Sequence, residues 1–129
     1  MPKKKYEVIV KTDIKDHPKD HEMSAALILA NYYFKADVTF LRPESNKTPD
    51  IEVDGKKWEI KSPMGNSKKT IENNLRMARK QSKHIVIDLR RIKMHKVRAI
   101  ARINYFLSKQ QQIKRVIVIT KDQKIVDIL

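Results

Sequence analysis

An Asp54-Gly55 pair stands between two runs of alternating apolar and polar residues, 48–53 and 56–61. A two-residue type I′ turn needs a positive φ at both central positions, and Asp followed by Gly satisfies that need. The pair therefore predicts a β-hairpin whose loop consists of these two residues alone. Such a short loop also fixes which residues lie opposite each other along the two strands.

The predicted pairing divides the hairpin into two faces, because successive side chains of a β-strand point in opposite directions. The apolar face holds Pro49, Ile51, Val53, Trp58 and Ile60. The polar face holds Thr48, Asp50, Glu52, Lys57, Glu59 and Lys61. The apolar face is typical of a core surface, and we expect the Trp58 ring to pack there rather than to stack on a nucleotide base.

On the polar face, Asp50 falls directly opposite Glu59, and two like charges in that position destabilise a sheet. A divalent cation between them removes the conflict, and Mg²⁺ prefers carboxylate oxygens while keeping several waters. Lys61 follows on the same face, where it can position or activate an attacking water or stabilise charge on a phosphate oxygen. The hairpin thus predicts a metal site held by Asp50 and Glu59, with Lys61 beside it. In the alternative, Asp50 only opens a turn after Pro49, and Glu59 only pairs with Lys57 or Lys61.

The rest of the chain alternates strand-like and helix-like runs. Further strands are predicted at 6–10, 37–42, 84–89, 114–120 and 124–128. Helices are predicted at 20–35, 67–81 and 95–108, where apolar residues recur at helical spacing, with Asp20 and Ser67 as caps. The order β-α-β-β-β-α-β-α-β-β indicates a single α/β domain over residues 1–129, with a mixed sheet flanked by helices.

The charge of the chain points to a polyanionic partner. Its 129 residues include 29 Lys and Arg against 15 Asp and Glu, a net charge of +14. The excess is local, because residues 12–60 have a net charge of −3 and residues 61–96 one of +9. Nucleic acid is the usual partner of such a basic protein. The absence of Cys excludes thiolate metal sites, no apolar run approaches the ~20 residues of a membrane span, and a signal peptide is not expected.

Pro49-Asp50 followed by Glu59-Ile60-Lys61 resembles the PD-(D/E)xK nuclease signature, on the hairpin where that superfamily carries it. The stretch from Thr48 to Leu89 also resembles a narrower family, the C-terminal toxin domain of contact-dependent growth inhibition proteins of the CdiA type, known as tRNA nuclease domains. The resemblance extends over roughly residues 20–128. It implies a restriction-endonuclease-like fold, dependence on Mg²⁺ or Mn²⁺, cleavage of RNA phosphodiesters and a cognate immunity protein.

Further site residues flank the hairpin. The superfamily often adds a carboxylate from its first helix, and Glu22 is the catalytic candidate there; its alternative role is to stabilise the helix dipole. After the hairpin, a helix N-terminus can bind a phosphate through free backbone N–H groups. Four side chains near it are predicted to bind the nucleic-acid backbone: Ser62, Lys68, Thr70 and Arg76. The alternative for these four is a capped and solvated surface helix.

The leading hypothesis is a metal-dependent endonuclease that hydrolyses phosphodiester bonds in RNA, with tRNA as the preferred substrate. Such a toxin-type domain is expected to act in the cytoplasm, delivered into a target cell as part of a larger secreted protein. One alternative is a DNA endonuclease of a phage or mobile element, because the same triad serves both polymers. The other is a non-catalytic nucleic-acid-binding module, which predicts salt-sensitive binding without a response to Mg²⁺.

Overall fold

The computed structural model of the protein describes residues 5–45, 47–67 and 69–129. These residues fall into two units, one ending at Trp58 and the other beginning at Glu59. The prediction of one domain over residues 1–129 stays a prediction. Within the described residues, no helix is long and apolar enough to cross a membrane.

The first unit pairs short strands beside one helix. Its elements are β1 (Val8–Val10), a 3-10 turn (Ile14–Asp16), α1 (Asp20–Leu29), a π-helical turn (Ala30–Phe34), β2 (Val38–Phe40), β3 (Ile51–Val53) and the first half of β4 (Lys56–Lys61). Strand β1 pairs with β2 in parallel, and the β2–β3 and β3–β4 pairs are antiparallel. The apolar residues that alternate along these strands are buried, among them Val38, Ile51 and Val53.

The second unit is built on parallel strands. It contains the second half of β4, α2 (Thr70–Ala78), β5 (His84–Asp88), α3 (Lys96–Leu107), β6 (Arg115–Ile119) and β7 (Ile125–Asp127). Strands β4, β5 and β6 run parallel, and β7 pairs antiparallel with β6. One face of β5 and β6 packs on α2 and α3 in a single apolar cluster, which includes Ile85, Val116, Leu75 and Ile103.

Within each unit the strands follow the order of the chain, β1-β2-β3-β4 in the first and β4-β5-β6-β7 in the second. Strand β4 runs continuously from Lys56 to Lys61, so its first residues pair with β3 and its last with β5. The predicted α/β class, with a mixed sheet and helices in the predicted order, is confirmed. The buried run 84–89 is a central parallel strand, as its continuous apolar character indicates.

The hairpin register is confirmed at its first three pairs, which are Val53↔Lys56, Glu52↔Lys57 and Ile51↔Trp58. The loop consists of two residues with positive φ, Asp54 at 50° and Gly55 at 80°. Both values belong to the left-handed region that a type I′ turn requires. Local turn chemistry therefore sets the register, and the Trp58 side chain is buried as expected.

Replacing Gly55 with Ala is expected to lower the free energy of unfolding by about 1–2 kcal/mol, the cost of holding an L-residue in the left-handed region. A Cβ at this position meets no atom within 4 Å, so the loss comes from the backbone alone. Urea unfolding measures it. The matched change, Asp54→Gly, combines relief of the same strain with a higher entropy of the unfolded chain. It is expected to alter stability less, and an equal loss from both changes would contradict the turn assignment.

Two predicted helix caps are wrong. Helix α1 begins at Asp20 itself, with Lys19 as its N-cap. Helix α2 begins at Thr70 with Lys69 as its N-cap, two residues later than the Ser67 cap implies. The Ser67 hydroxyl accepts a hydrogen bond from the Lys69 N–H at 3.2 Å, which closes a local turn before the helix. Serine favours turns as readily as caps, because its hydroxyl bonds nearby backbone groups in both.

Candidate active site

Strand β4 places a buried carboxylate beside an ammonium group. Glu59 is 2% exposed and Lys61 is 21% exposed, and Lys61 Nζ lies 3.0 Å from Glu59 Oε2. The two residues are two positions apart on one strand, so their side chains point to the same face. This ion pair with Lys61 is the role given above as the alternative for Glu59, and the catalytic roles of the two residues stay predictions.

The burial of Glu59 follows from its neighbours. Glu59 lies opposite Ile85 and Lys61 opposite Ile87 in the parallel β4–β5 pair. Paired residues of adjacent strands share a face, and both isoleucines belong to the apolar cluster under α2 and α3. Removing a carboxylate from water costs several kcal/mol even after relaxation, and an ion pair often only offsets that cost. A charge retained in such a place is more typical of a functional site than of a stabilising one.

Two other predicted catalytic carboxylates lie in the first unit. Asp50 is half-buried, directly before β3, and its backbone carbonyl accepts a hydrogen bond from the Leu41 N–H at 2.9 Å. Glu22 lies in the first turn of α1, where its Oε1 accepts from the Lys19 N–H at 2.8 Å. This bond is the helix-capping role given above as the alternative for Glu22. The catalytic roles of Asp50 and Glu22 stay predictions.

Two of the four predicted nucleic-acid contacts lie in the loop after β4 and at the start of α2. The Ser62 hydroxyl oxygen is buried and has no hydrogen-bond partner among the described residues. Thr70 is the first residue of α2, and its side chain lies against Gly65, where an added Cβ would come 3.1 Å from Thr70 Oγ1. Because Gly65 has no Cβ, the loop can come close to the start of the helix at this point. Lys68, a further predicted contact, lies outside the described residues.

The fourth predicted contact, Arg76, lines a cavity of about 200 Å³ beside α2 and the end of α3. Arg76 is exposed and donates a hydrogen bond from Nη1 to Asn73 Oδ1 at 3.0 Å. The other residues that line the cavity are Glu72, Arg79, Tyr105, Phe106, Lys109 and Gln110. Sequence reasoning missed them, although the i, i+4, i+7 spacing of Glu72, Arg76 and Arg79 does place these three on one side of a helix.

A second buried ion pair, also missed from the sequence, lies at the end of β5. Asp88 is 0% exposed, and Arg90 donates to both of its carboxylate oxygens, from Nε at 2.9 Å and from Nη2 at 2.8 Å. Asp88 is one residue out of phase with Ile85 and Ile87, so it projects to the sheet face opposite Glu59. The pair is separate from the Glu59–Lys61 site.

Positive charge is concentrated in the second unit. Residues 59–129 contain 18 of the 29 Lys and Arg residues but only 5 of the 15 Asp and Glu residues, a net of +13 out of +14. A polyanion is attracted by such a surface whatever its sequence. The charge thus falls in the unit that carries Glu59, Lys61 and Arg76.

The donor chemistry fits a hard divalent cation. Among residues 5–45, 47–67 and 69–129, no group of three or more His, Cys, Asp or Glu side chains is placed to hold a metal ion. Mg²⁺ needs no such cage, because it commonly binds through one or two carboxylates together with waters and substrate phosphates. The buried Glu59 carboxylate is the predicted first ligand of this kind, and Asp50 is the predicted second one.

A family model and a solved structure are similar to the chain. The model of the family described as the contact-dependent growth inhibition CdiA C-terminal domain matches residues 47–125. A solved structure, the CdiA-CT/CdiI toxin and immunity complex from Burkholderia pseudomallei, is similar with a TM-score of 0.69 and 22% sequence identity. The match covers 95% of this chain and 98% of that one, which indicates a shared fold. No curated protein matches the chain.

Proposed function

The chain belongs to the contact-dependent growth inhibition CdiA C-terminal domain family and is thus a toxin domain, and we propose that it acts as a metal-dependent endonuclease. The proposed substrate is RNA, with tRNA preferred, and the reaction is hydrolysis of a phosphodiester bond. The proposed catalytic fold is of the PD-(D/E)xK type, with Mg²⁺ or Mn²⁺ as the cofactor.

The observation that carries this proposal is the buried Glu59 carboxylate 3.0 Å from the Lys61 ammonium. The two residues occupy the last two polar positions of the motif that begins at Pro49-Asp50. A buried carboxylate supplies a ligand for a metal ion, and an ammonium group two residues along the same strand supplies a positive charge for a phosphate beside it. The net charge of +13 on residues 59–129 supports a polyanionic substrate.

In the proposed mechanism Glu59 and Asp50 would hold the cation, which would supply positive charge for a phosphate oxygen and lower the pKa of a bound water. Lys61 lies beside the scissile phosphate, where its ammonium orients the attacking water or stabilises the transition state. Ser62, Lys68, Thr70 and Arg76 contact the substrate backbone and set its position. Glu22 is proposed to assist from α1, in addition to its capping bond.

The same family membership bears on partners and place of action. The similar solved structure is a complex of a toxin with an immunity protein. We propose that this chain likewise has a cognate immunity protein. We also propose that it works in the cytoplasm of a target cell after delivery as part of a larger secreted protein.

The test is cleavage of total tRNA and of plasmid DNA by the purified protein with Mg²⁺, Mn²⁺ or EDTA. The expected result is tRNA cleavage that requires a metal and is lost in Asp50→Ala and in Lys61→Ala. Cleavage of plasmid DNA alone would replace RNA with DNA as the substrate. Binding of both polymers without cleavage under any metal would overturn the proposed catalysis and leave a nucleic-acid-binding module.

A further inference from the structure

The cavity of about 200 Å³ beside α2 and α3 combines cations with aromatic rings. Helix α2 contributes Arg76, with Arg79 at its C-terminal cap, and the end of α3 contributes Tyr105 and Phe106, followed by Lys109. Tyr105 is 50% exposed, so part of its ring is open to solvent. We call the surface formed by these five residues the α2–α3 cleft.

Each ring of the cleft has a cation near it. Lys109 Nζ lies 4.6 Å from the Tyr105 ring centroid, and the Arg79 guanidinium carbon lies 5.6 Å from that of Phe106. Both distances are within the range of cation–π attraction. The hydrogen bond from the Lys109 ammonium to Tyr105 raises the pKa of Lys109 above its ordinary value, so this ammonium stays charged.

The charge of the cleft favours an anionic occupant. Arg76, Arg79 and Lys109 supply three positive charges against the single carboxylate of Glu72, which also lines the cavity. Two of these cations, Arg79 and Lys109, lie over aromatic rings rather than on a wholly polar surface. Phosphate groups suit the cations, and a flat unsaturated ring suits the exposed Tyr105 face, as in proteins that bind single-stranded nucleic acids.

We propose that the α2–α3 cleft is a subsite for one nucleotide of a single-stranded nucleic acid, whose base stacks on Tyr105 while its flanking phosphates contact Arg76 and Lys109. This subsite rests on the proposed nucleic-acid substrate and specifies that the polymer is unpaired where it meets the cleft. Its residues are distinct from Asp50, Glu59 and Lys61, so it binds the substrate without taking part in the reaction.

The chemistry of the cleft supports an unpaired nucleotide rather than a duplex. A duplex keeps its bases stacked on one another and offers only edges and backbone to a protein. An unpaired base has a free face, so only single-stranded stretches can use both the ring and the cations.

The test measures binding of a fluorescent single-stranded oligouridylate by anisotropy in EDTA, where no metal-dependent cleavage occurs. Tyr105→Ala is expected to weaken binding by about fivefold or more, the lower end of the loss of one base–aromatic stack. Tyr105→Phe keeps the ring and is expected to bind like wild type. An abasic oligonucleotide with the same number of phosphates removes the bases alone, and on it Tyr105→Ala and wild type are expected to bind equally.

A second experiment uses the dependence of binding on salt concentration to measure the contribution of phosphate contacts. Arg76→Gln is expected to reduce the slope of log affinity against log salt by about 0.7, the value for one phosphate contact on a single strand. Lys121→Gln makes the same change of charge at an exposed residue outside the cleft and is expected to keep the wild-type slope. Equal slopes for all three proteins would contradict the contact between Arg76 and phosphate.

Unchanged oligouridylate binding by a folded Tyr105→Ala would overturn the subsite. A polyglutamate peptide that competes as well as the oligonucleotide, and is weakened equally by Tyr105→Ala, would also overturn it and assign the cleft to an acidic protein surface. These outcomes do not depend on catalysis. If the wild-type protein cleaves no substrate but Tyr105→Ala weakens oligouridylate binding, the subsite stands and the proposed nuclease activity is wrong. If Tyr105→Ala cleaves RNA and binds oligouridylate with wild-type affinity, the nuclease activity stands and the subsite is wrong.

Discussion

Replacing Glu59 with Gln is expected to reduce metal-dependent tRNA cleavage by about a hundredfold or more, the usual effect of removing one charged group from a catalytic centre. Gln has nearly the shape of Glu but carries no charge, so it is a poor ligand for Mg²⁺ and cannot balance the Lys61 ammonium. Single-turnover cleavage measures the loss. Direct titration with Mn²⁺, followed by its electron paramagnetic resonance signal, is expected to show weaker metal binding in the same variant.

The matched control for this change is Glu52→Gln on the same hairpin. Glu52 is half-buried and lies opposite Lys57 on the hairpin, outside the proposed site. Its loss is expected to change cleavage by no more than about twofold, since ion pairs near the surface contribute little. Glu59→Gln with wild-type cleavage and metal affinity would remove Glu59 from the proposed site.

The double variant Glu59→Gln, Lys61→Met separates chemistry from folding. In Glu59→Gln alone, the partly buried Lys61 ammonium loses its carboxylate, which is costly in a poorly hydrated place. The double variant removes both charges together, so it is expected to be at least as stable as the single one while remaining inactive. Recovery of cleavage together with stability would mean that the single variant was inactive only because it unfolds.

Replacing Asp88 with Asn is expected to lower the free energy of unfolding by about 3–5 kcal/mol, the cost of breaking a buried ion pair by removing one member. Asp88 is 0% exposed and Arg90 is 14% exposed, so the remaining guanidinium has little access to water. Asn also presents an amide N–H₂ group where Arg90 needs an acceptor. Urea unfolding with linear extrapolation measures the loss.

The same substitution at Asp127 is the control for Asp88. Asp127 pairs with Arg115 at 3.0 Å, a similar distance, but the two side chains are 59% and 43% exposed. Its loss is expected to cost less than about 1 kcal/mol, because solvent screens an exposed pair. Equal losses from the two changes would show that burial does not determine the strength of the Asp88–Arg90 pair.

The parts of the fold that sequence predicts well are those decided by neighbouring residues. The Asp54-Gly55 turn fixes three strand pairs because its φ values permit little else. The helix over 95–108 is also confirmed within one residue at each end, with His95 as the N-cap. The predicted Ser67 cap was wrong because a serine hydroxyl can bond nearby backbone groups both in a turn and at a helix start, and neighbouring residues alone do not decide between the two.

The candidate site is predicted less completely. The sequence places Glu59 and Lys61 on one face, but not the burial of Glu59, which depends on the pairing of β4 with Ile85 and Ile87 some 25 residues later. The α2–α3 cleft was missed because Arg76 and Tyr105 lie on different helices. The Asp88–Arg90 pair was not predicted because an apolar run such as 84–89 gives no indication of how its one acidic residue is paired.

The concentration of positive charge in residues 59–129 is expected to affect how fast the protein encounters a polyanion as well as how tightly it binds one. Electrostatic steering raises association rates by about 10- to 1,000-fold and weakens as ionic strength rises. At physiological salt the attraction is largely screened beyond about 8 Å. For the proposed cleavage of RNA, a rate measured in dilute buffer is therefore expected to report the chemical step, whereas at physiological salt the time spent searching for the RNA is expected to become part of the overall rate.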